Sequence, residues 1–232
     1  MVLSSTASST ARRLGAADQS GRAPQGGAAE PGLRERKKQR TRDALRAAAF
    51  ELFARKGFEA TTVEEIADAV EVSSRTFFRY FGGKDDVVLA TIDDQYTDVL
   101  AAFELRPADE PVWTAMRRAT AEVLARYESG ETGMSAESFA RVTGLVSVSP
   151  ALTGRALELC TTRIDEGTQL IARRMGVRPE QDPRPALVAA VMLSAIQTAT
   201  GAWRENEPDT PTSVLVDRAF ELLGAGIDYP AA

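Results

Sequence analysis

The residues with the clearest chemical character form a cationic cluster between positions 72 and 84. Arg75, Arg79 and Lys84 lie there with no Asp or Glu between them, together with four aromatic residues, although only 6% of the chain is aromatic. Guanidinium and ammonium groups bind phosphate oxygens, and arginine can donate two hydrogen bonds to a guanine edge. The cluster is therefore typical of nucleic-acid binding, with an amphipathic helix kept only for core packing as the alternative.

Groups that serve catalysis or bind metals are scarce. The chain has no histidine and a single cysteine, Cys160, so the sequence offers neither a Cys/His metal cluster nor an intrachain disulfide. Adjacent carboxylates, as in Asp85-Asp86 and Asp93-Asp94, point in different directions on a helix, which favours a helix start and a solvated face over acid/base catalysis. We therefore predict a protein that is not an enzyme, needs no cofactor or metal, and resides in the reducing cytoplasm.

Positive charge is concentrated near the N-terminus of a chain whose formal net charge is −5. Residues 34–84 hold 12 Lys and Arg against 8 Asp and Glu, a net charge of +4, whereas residues 85–232 hold 13 against 23, a net charge of −10. A basic region within an acidic protein is the usual electrostatic signature of nucleic-acid binding. We predict a basic domain over residues 34–84 and an acidic domain over residues 85–228. Residues 1–33, which have few large apolar side chains, are predicted to be a disordered tail.

One uncharged segment approaches the length of a membrane span. Residues 185–203 contain no Asp, Glu, Lys or Arg, but Ser194, Gln197 and Thr198 lie among many alanines and lower its lipophilicity. The composition favours a helix buried between protein surfaces, with a membrane span as the alternative, and we predict no membrane partner.

Three helices are predicted in the basic domain. The first covers about residues 36–56, where apolar residues recur at three- and four-residue spacing and Gly57 provides a C-terminal cap. The second begins after Thr62, since Thr62 and Glu65 match a capping box. The third covers about residues 74–81, with Ser73 as its N-cap. Two short helices behind a longer one predict a helix-turn-helix.

Within the third helix, spacing separates anchoring residues from exposed ones. Phe77 and Phe81 lie four residues apart and are predicted to pack against the first two helices. The opposite side then presents Ser74, Arg75, Phe78 and Arg79, which could reach phosphates and base edges in a DNA groove.

Two segments of this region resemble the DNA-binding domain of the TetR family of bacterial transcriptional regulators. They are LRAAAFELFARKGFEATTVEEIA over residues 45–67 and VSSRTFFRYFGGKD over residues 72–85. The resemblance implies an all-α protein, in which an N-terminal three-helix DNA-binding domain precedes a larger helical ligand-binding and dimerisation domain. Three positions depart from the common family pattern: Glu71 replaces a glycine in the turn, Arg75 replaces a small residue, and Phe78 replaces a tyrosine.

The resemblance also implies roles for individual residues at a double-stranded, near-palindromic DNA operator. The residues that would hold phosphates are Arg42, Thr62, Tyr80 and Lys84. The residues that would read bases are Ser74, Arg75 and Thr76, and Arg79 fits either role.

Six more helices are predicted beyond the basic domain, at about residues 84–103, 109–128, 135–147, 150–175, 183–204 and 211–223. In the resembling family the last two helices of each subunit form a four-helix dimer interface. In this chain the interface would be formed by small residues and two larger apolar ones. They are Ala190, Ser194, Thr198, Gly201, Phe220 and Leu223. A helix buried inside a monomer is the alternative.

A small-molecule site is predicted where apolar side chains mix with a few hydrogen-bonding groups. The candidates are Trp113, Met116, Thr120, Phe139, Val142, Ile164 and Gln197, for which ordinary core packing is the alternative. Their acidic, apolar domain indicates an uncharged or amphiphilic effector. The C-terminal half also resembles a subgroup that takes acyl-CoA-like ligands.

The predicted function is that of a homodimeric repressor that a small molecule releases from its operator. One alternative is a transcriptional activator with the same architecture. A second is a helical enzyme or small-molecule carrier whose basic face is incidental, and the absence of histidine argues against the enzyme.

Overall fold

A computed structural model describes residues 32–132, 134–203 and 206–227, and within these ranges the chain is helical, without β-strands. The all-α prediction is confirmed. The α-helices are α1 Leu33–Lys56, α2 Val63–Asp68, α3 Ser74–Phe78, α4 Lys84–Glu104, α5 Val112–Ser129, α6 Ala136–Val148, α7 Pro150–Met175, α8 Arg184–Thr198 and α9 Thr212–Ala225. A π-helical turn, Ala199–Trp203, continues α8. Most of the predicted tail, residues 1–31, lies outside the described residues, and Leu33 already belongs to α1.

The N-terminal head, α1 to α3, is shaped by the predicted caps. Gly57 ends α1 with a φ of 89°, and the Phe58 ring packs edge-on against Phe53 at 4.9 Å between centroids. At the start of α2 the Thr62 amide donates to the Glu65 carboxylate at 2.9 Å, and the Glu65 amide donates to the Thr62 hydroxyl at 3.3 Å. The capping box is thus confirmed, and it fixes the direction in which α2 leaves the preceding loop.

The turn between α2 and α3 contains a strained residue. Glu71 has a φ of 55°, and among the described residues it is the one non-glycine residue with a positive φ. This left-handed conformation costs roughly 1–2 kcal/mol for a residue with a Cβ. Glu71 therefore adopts, at an energetic cost, a left-handed conformation that glycine adopts without it.

Helix α3 is shorter than the sequence predicts. It ends at Phe78 rather than Phe81, and the chain continues in a tight turn in which the Tyr80 amide donates to the Phe77 carbonyl at 2.8 Å. The Phe81 amide donates to the same carbonyl at 3.0 Å. Because the turn keeps these residues close to helical positions, Phe81 still reaches the core, where it is buried.

The body, α4 to α9, surrounds a continuous apolar core. Helix α4 packs against α5 and α7, α5 packs against α9, and α7 packs against α8. The largest fully buried side chains of the body are Phe103, Met116, Phe139, Leu152, Ile171, Met192, Leu215 and Phe220. No helix within the described ranges is long and apolar enough to cross a membrane. The uncharged segment instead forms α8 and its π-helical turn.

The last helix ends later than the glycine pattern predicts. Gly224 lies inside α9, and the helix continues to Ala225 before Gly226, with a φ of 106°, caps it. A Cβ at Gly224 would lie 3.1 Å from Nε1 of Trp113. A side chain at Gly224 would therefore crowd the Trp113 indole, whose Nε1 donates to the Phe220 carbonyl at 3.0 Å.

Candidate nucleic-acid interface and internal cavity

Aromatic packing anchors the short helix α3. Phe77 is fully buried, and its ring lies 5.6 Å from those of Phe78 and Phe81. Phe78 points the other way and is 54% exposed. This division confirms the predicted separation of an anchoring face from a solvent-facing one, with Phe78 on the solvent-facing side as the spacing predicted.

Two arginines stand on the exposed face. Arg75 is exposed and makes no side-chain hydrogen bond or ion pair with any residue that the structure describes. Arg79 is also exposed, and its guanidinium lies 5.0 Å from the Tyr80 ring centroid and donates to the Tyr80 hydroxyl at 3.2 Å. Arg75 is thus free to meet a ligand, whereas Arg79 and Tyr80 form a pre-oriented pair.

The predicted DNA-binding serine and threonines of the head lie close to helix N-termini. Ser74 and Thr76 are half-buried, and the Thr76 hydroxyl is 3.1 Å from that of the N-cap residue Ser73. Thr62 is exposed, and its hydroxyl is already engaged by Glu65. Glu65 also accepts a hydrogen bond from Lys56 and one from the Thr62 amide, and these bonds lower the pKa of Glu65 to about 2. The capping carboxylate therefore stays ionised at neutral pH.

Lys84 turns inward toward the head. Its Nζ donates to the carbonyls of Phe58 at 2.7 Å, Glu59 at 3.1 Å and Thr61 at 3.4 Å. An ammonium has three protons, so these bonds occupy its donor capacity. The contacts tie the first residue of α4 to the loop between α1 and α2, a role that spacing alone does not reveal.

Arg42 also faces the interior of the chain. Its guanidinium lies 3.7 Å from the Asp94 carboxylate and 5.7 Å from the Phe81 ring centroid. Arg46 donates to the same carboxylate of Asp94. The two arginines link α1 of the head to α4 of the body, so Arg42 would have to leave these partners to reach a phosphate.

The carboxylate pairs identified in the sequence join helices through arginines. Arg155 on α7 donates to Asp86 at 2.6 Å and to Asp85 at 3.1 Å, at the start of α4. Asp86 also accepts the Gly82 amide at 2.8 Å. Arg163 forms a two-pronged ion pair with Asp93 at 2.8 and 2.9 Å. No group of three or more His, Cys, Asp or Glu side chains in the described residues could hold a metal ion.

A cavity of about 230 Å³ lies between α4, α6, α7 and α8. Its walls are mainly apolar and include Ile92, Val142, Val146, Leu157, Leu193 and Ile196. Two larger clefts, of about 490 and 450 Å³, carry several charged residues each and lie between α1 and α6 and between the head and α7. Of the three, the smaller cavity has the apolar walls that small-molecule sites require.

The cavity includes two of the predicted ligand residues, Val142 and Gln197. The other five line other parts of the body. Trp113 stacks on Phe220 at 4.7 Å between α5 and α9, and Met116, Thr120 and Phe139 are buried in the core. Ile164 packs against the edge of that core.

Gln95 and Cys160 line the cavity, although neither was among the ligand-binding residues predicted from the sequence. Gln95 lies in a polar stretch of α4, where it was indistinguishable from a solvent-facing residue. Burial, with a smaller contribution from the negative charge of Asp93, raises the pKa of the Cys160 thiol. The thiol is therefore neutral at pH 7.

An exposed stripe of small and apolar residues runs along α8. Leu187, which is 59% exposed, is followed on the same face by Ala190, Ser194 and Thr198, all exposed. Gly201 and Leu223 are partly buried, whereas Phe220 is fully buried within the chain. Phe220 therefore cannot add apolar area to a surface between subunits, because Trp113 already covers it.

The two parts of the chain match two known protein families. Residues 45–91 match the family model described as "Bacterial regulatory proteins, tetR family", and residues 110–228 match the "MftR C-terminal domain". The chain belongs to the TetR family and is a DNA-binding transcriptional regulator, not an enzyme.

Individual relatives support the same classification. The HTH-type transcriptional regulator TcmR of Streptomyces glaucescens is 40% identical over 196 residues, which cover 83% of this chain and 87% of TcmR. Two solved structures share the fold at lower identity. The fatty acid degradation regulator FadR of Bacillus halodurans has a TM-score of 0.54 and 17% identity, covering 82% of this chain and 97% of FadR. FadR of Thermus thermophilus, a repressor in complex with lauroyl-CoA, has a TM-score of 0.51 and 22% identity, with the same coverage.

Proposed function

We propose that this regulator is a homodimeric repressor whose operator affinity falls when a small molecule occupies the cavity between α4, α6, α7 and α8. The observation that carries the DNA-reading part is the exposed, unpaired Arg75 opposite the buried Phe77 on one short helix. Two such helices, about 34–36 Å apart in a two-fold dimer, would enter successive major grooves of one face of B-form DNA. A dimer bound across a promoter would exclude RNA polymerase.

The contacts divide into base reading and positioning. Arg75 is suited to a guanine because its guanidinium is free, and Ser74 and Thr76 flank it at the start of α3. Arg79 and Tyr80, already paired, would contact phosphates, as would Thr62 at the beginning of α2. Lys84 and Arg42 hold the head in position through their intramolecular partners, and this role replaces the direct phosphate contacts that the family resemblance implied for them.

The different environments of Lys84 and Arg79 give a testable contrast. Lys84→Met is expected to weaken operator and scrambled duplexes alike, several-fold, because the loop that orients α2 loses its carbonyl ties. The slope of log K against log salt should not change, since no counterion-releasing contact is removed. Arg79→Met should reduce the magnitude of that slope by about 2, because the dimer loses one phosphate contact from each of its two heads. Fluorescence anisotropy titrations at four salt concentrations give the affinity and the salt slope of each variant. A reduced slope for Lys84→Met would show that Lys84 contacts a phosphate.

The proposed dimer uses the exposed stripe of α8 together with α9. Small side chains at Ala190, Ser194 and Thr198 allow two helices to approach closely, and Leu187 adds exposed apolar area. Val214 and Leu222, 40% and 44% exposed, add to it from α9. Leu223 and Gly201 would lie at the edge of this surface, whereas the buried Phe220 would not belong to it.

Placing a cation in this stripe should separate the subunits. In a two-fold interface Ser194→Arg brings two arginines toward each other and leaves both desolvated, which is strongly unfavourable. We expect sedimentation to show a monomer at micromolar concentration and operator affinity to fall at least about tenfold. Gln181→Arg adds the same charge at an exposed site outside the stripe and should remain dimeric. A dimeric Ser194→Arg protein would contradict the assignment.

The cavity is connected to the head along two routes. Helix α4 contributes Ile92 and Gln95 to the cavity and begins at Lys84, shortly after α3 ends. On α7, Arg155 holds the start of α4 and lies between the cavity residues Thr153 and Ala156. A ligand that shifts α7 against α4 would therefore change the spacing of the two heads. Moving the operator-bound population from 99:1 to 1:99 needs about 5.5 kcal/mol of differential affinity.

Two measurements on the full-length protein and one on a deletion strain test the proposal. A mobility-shift assay with promoter duplexes from beside the gene tests DNA binding. Failure to bind these duplexes at low salt would favour the alternative of a small-molecule carrier. Sedimentation tests the dimer. Deletion of the gene should raise reporter expression from the bound promoter, whereas a fall in expression would identify an activator.

A further inference from the structure

The hydrogen-bonding groups of the cavity are unequally available to a ligand. Its three threonine hydroxyls are already engaged, since Thr143 donates to the Phe139 carbonyl at 2.9 Å, Thr153 to Val146 at 2.5 Å and Thr200 to Ile196 at 2.8 Å. Each bond closes onto the backbone, so these hydroxyls have no proton left to donate. The threonines therefore act as part of the wall.

Gln95 differs from these threonines. Its Nε2 is buried and has no hydrogen-bond partner among the residues that the structure describes, although the side chain lines the cavity. A buried N–H group without a partner is unfavourable, and native proteins keep such groups mainly where a ligand or a water molecule completes them. The unsatisfied donor thus points to an acceptor atom supplied from outside the chain.

The surroundings of Gln95 restrict the charge of that acceptor. No Asp, Glu, Lys or Arg lines this cavity among the described residues, and the Cys160 thiol is neutral. A carboxylate or phosphate buried here would lack a countercharge, and burying an unpaired charge is strongly unfavourable. The walls otherwise match the apolar surface of an uncharged molecule.

We infer that the effector is an uncharged, largely apolar molecule with a carbonyl-type oxygen, and that this oxygen accepts a hydrogen bond from Gln95 Nε2. The inference rests on the proposed function of the cavity as the effector site, and it names the chemical class that the site selects. Gln95 is thereby a specificity-determining residue, because an analogue without the oxygen leaves its buried amide unpaired. An acyl-CoA, with its charged phosphates, does not belong to this class.

The test uses Prodan, a neutral naphthalene ketone whose emission shifts to longer wavelength when its carbonyl accepts a hydrogen bond. Its reference compound is the same dimethylaminonaphthalene with a propyl group instead of the propionyl group. The full-length protein should bind Prodan about tenfold more tightly than the propyl compound, and lauroyl-CoA should not displace Prodan. Absence of Prodan binding, equal affinity for both compounds, or displacement by lauroyl-CoA would overturn the inference.

Variants assign the preference to one side chain. Gln95→Leu should reduce the tenfold preference to less than twofold, shift bound Prodan emission to shorter wavelength and leave the propyl compound's affinity unchanged. It should also keep or raise the melting temperature of the free protein, because an unpaired amide is removed, and this confirms folding. Thr143→Val, whose hydroxyl is bonded to the backbone, is the matched control and should keep the preference. A preference that survives Gln95→Leu would assign recognition to another group.

A separate measurement distinguishes this inference from the proposed effector role. Operator affinity is measured with and without saturating Prodan in the wild-type protein. Gln95-dependent binding without any change in operator affinity would refute the effector role and leave the chemistry of the cavity standing. Release of operator by lauroyl-CoA, with no effect of Prodan, would support the effector role and overturn the inference about ligand class.

Discussion

Replacement of Phe77 by alanine is expected to unfold the head and abolish operator binding. Phe77 is fully buried and its ring contacts both Phe78 and Phe81, so the substitution leaves a large cavity behind α3. Removing a buried phenylalanine ring typically costs about 3–5 kcal/mol. That loss falls on a small three-helix unit whose recognition helix has only five residues. Hydrogen exchange of residues 33–81, followed by mass spectrometry, should show loss of protection in the head.

The neighbouring ring provides the control for this experiment. Phe78 is 54% exposed, so Phe78→Ala should change the stability of the head by less than about 1 kcal/mol. Both substitutions remove the same side chain from adjacent positions, and only the buried one should expose the backbone to exchange. Wild-type protection in the Phe77→Ala protein would show that the ring does not anchor α3.

Replacement of Arg75 by alanine is expected to remove base recognition at one position of each operator half-site. The guanidinium is exposed and unpaired, so it needs no rearrangement to donate two hydrogen bonds to a guanine. Loss of such a contact costs about 1–3 kcal/mol, or roughly 5- to 150-fold in affinity for each head. Selection of binding sites from a random duplex library by both proteins should show one position per half-site that loses its preference.

Two controls distinguish loss of base recognition from the general effect of removing a positive charge. Arg178→Ala removes the same charge from an exposed position in the body and should leave the selected sequence unchanged. Titration with a scrambled duplex separates base reading from general attraction to phosphate. If Arg75→Ala weakens the operator and the scrambled duplex equally, Arg75 contacts phosphate and another residue reads the base.

Local signals in the sequence predicted the helices of the head and most of its exposed face. The capping box of Thr62 and Glu65 and the glycine cap at Gly57 depend on neighbours within a few residues, so spacing is sufficient to find them. The four-residue separation of Phe77 and Phe81 likewise places both rings on one side. Even where α3 proved shorter than predicted, the following turn preserved that arrangement.

Features that depend on distant parts of the chain were not predictable in the same way. The cavity draws its walls from four helices, and nothing local distinguishes Gln95 from a solvent-facing glutamine. Lys84 matches a phosphate-binding pattern, yet its Nζ is occupied by carbonyls more than twenty residues away in sequence. Gly224 resembles a helix cap, but its lack of a side chain serves the indole of Trp113.

In the proposed complex the exposed ring of Phe78 would add an apolar contribution to operator binding beside that of the cations. Entering a groove would remove this ring from water, and burial of apolar area lowers the heat capacity of the complex relative to its separated parts. The phosphate contacts proposed for Arg79 would weaken as salt rises, whereas transfer of the Phe78 ring out of water would not depend on counterion release. Temperature and ionic strength would therefore act on two adjacent residues at the end of α3.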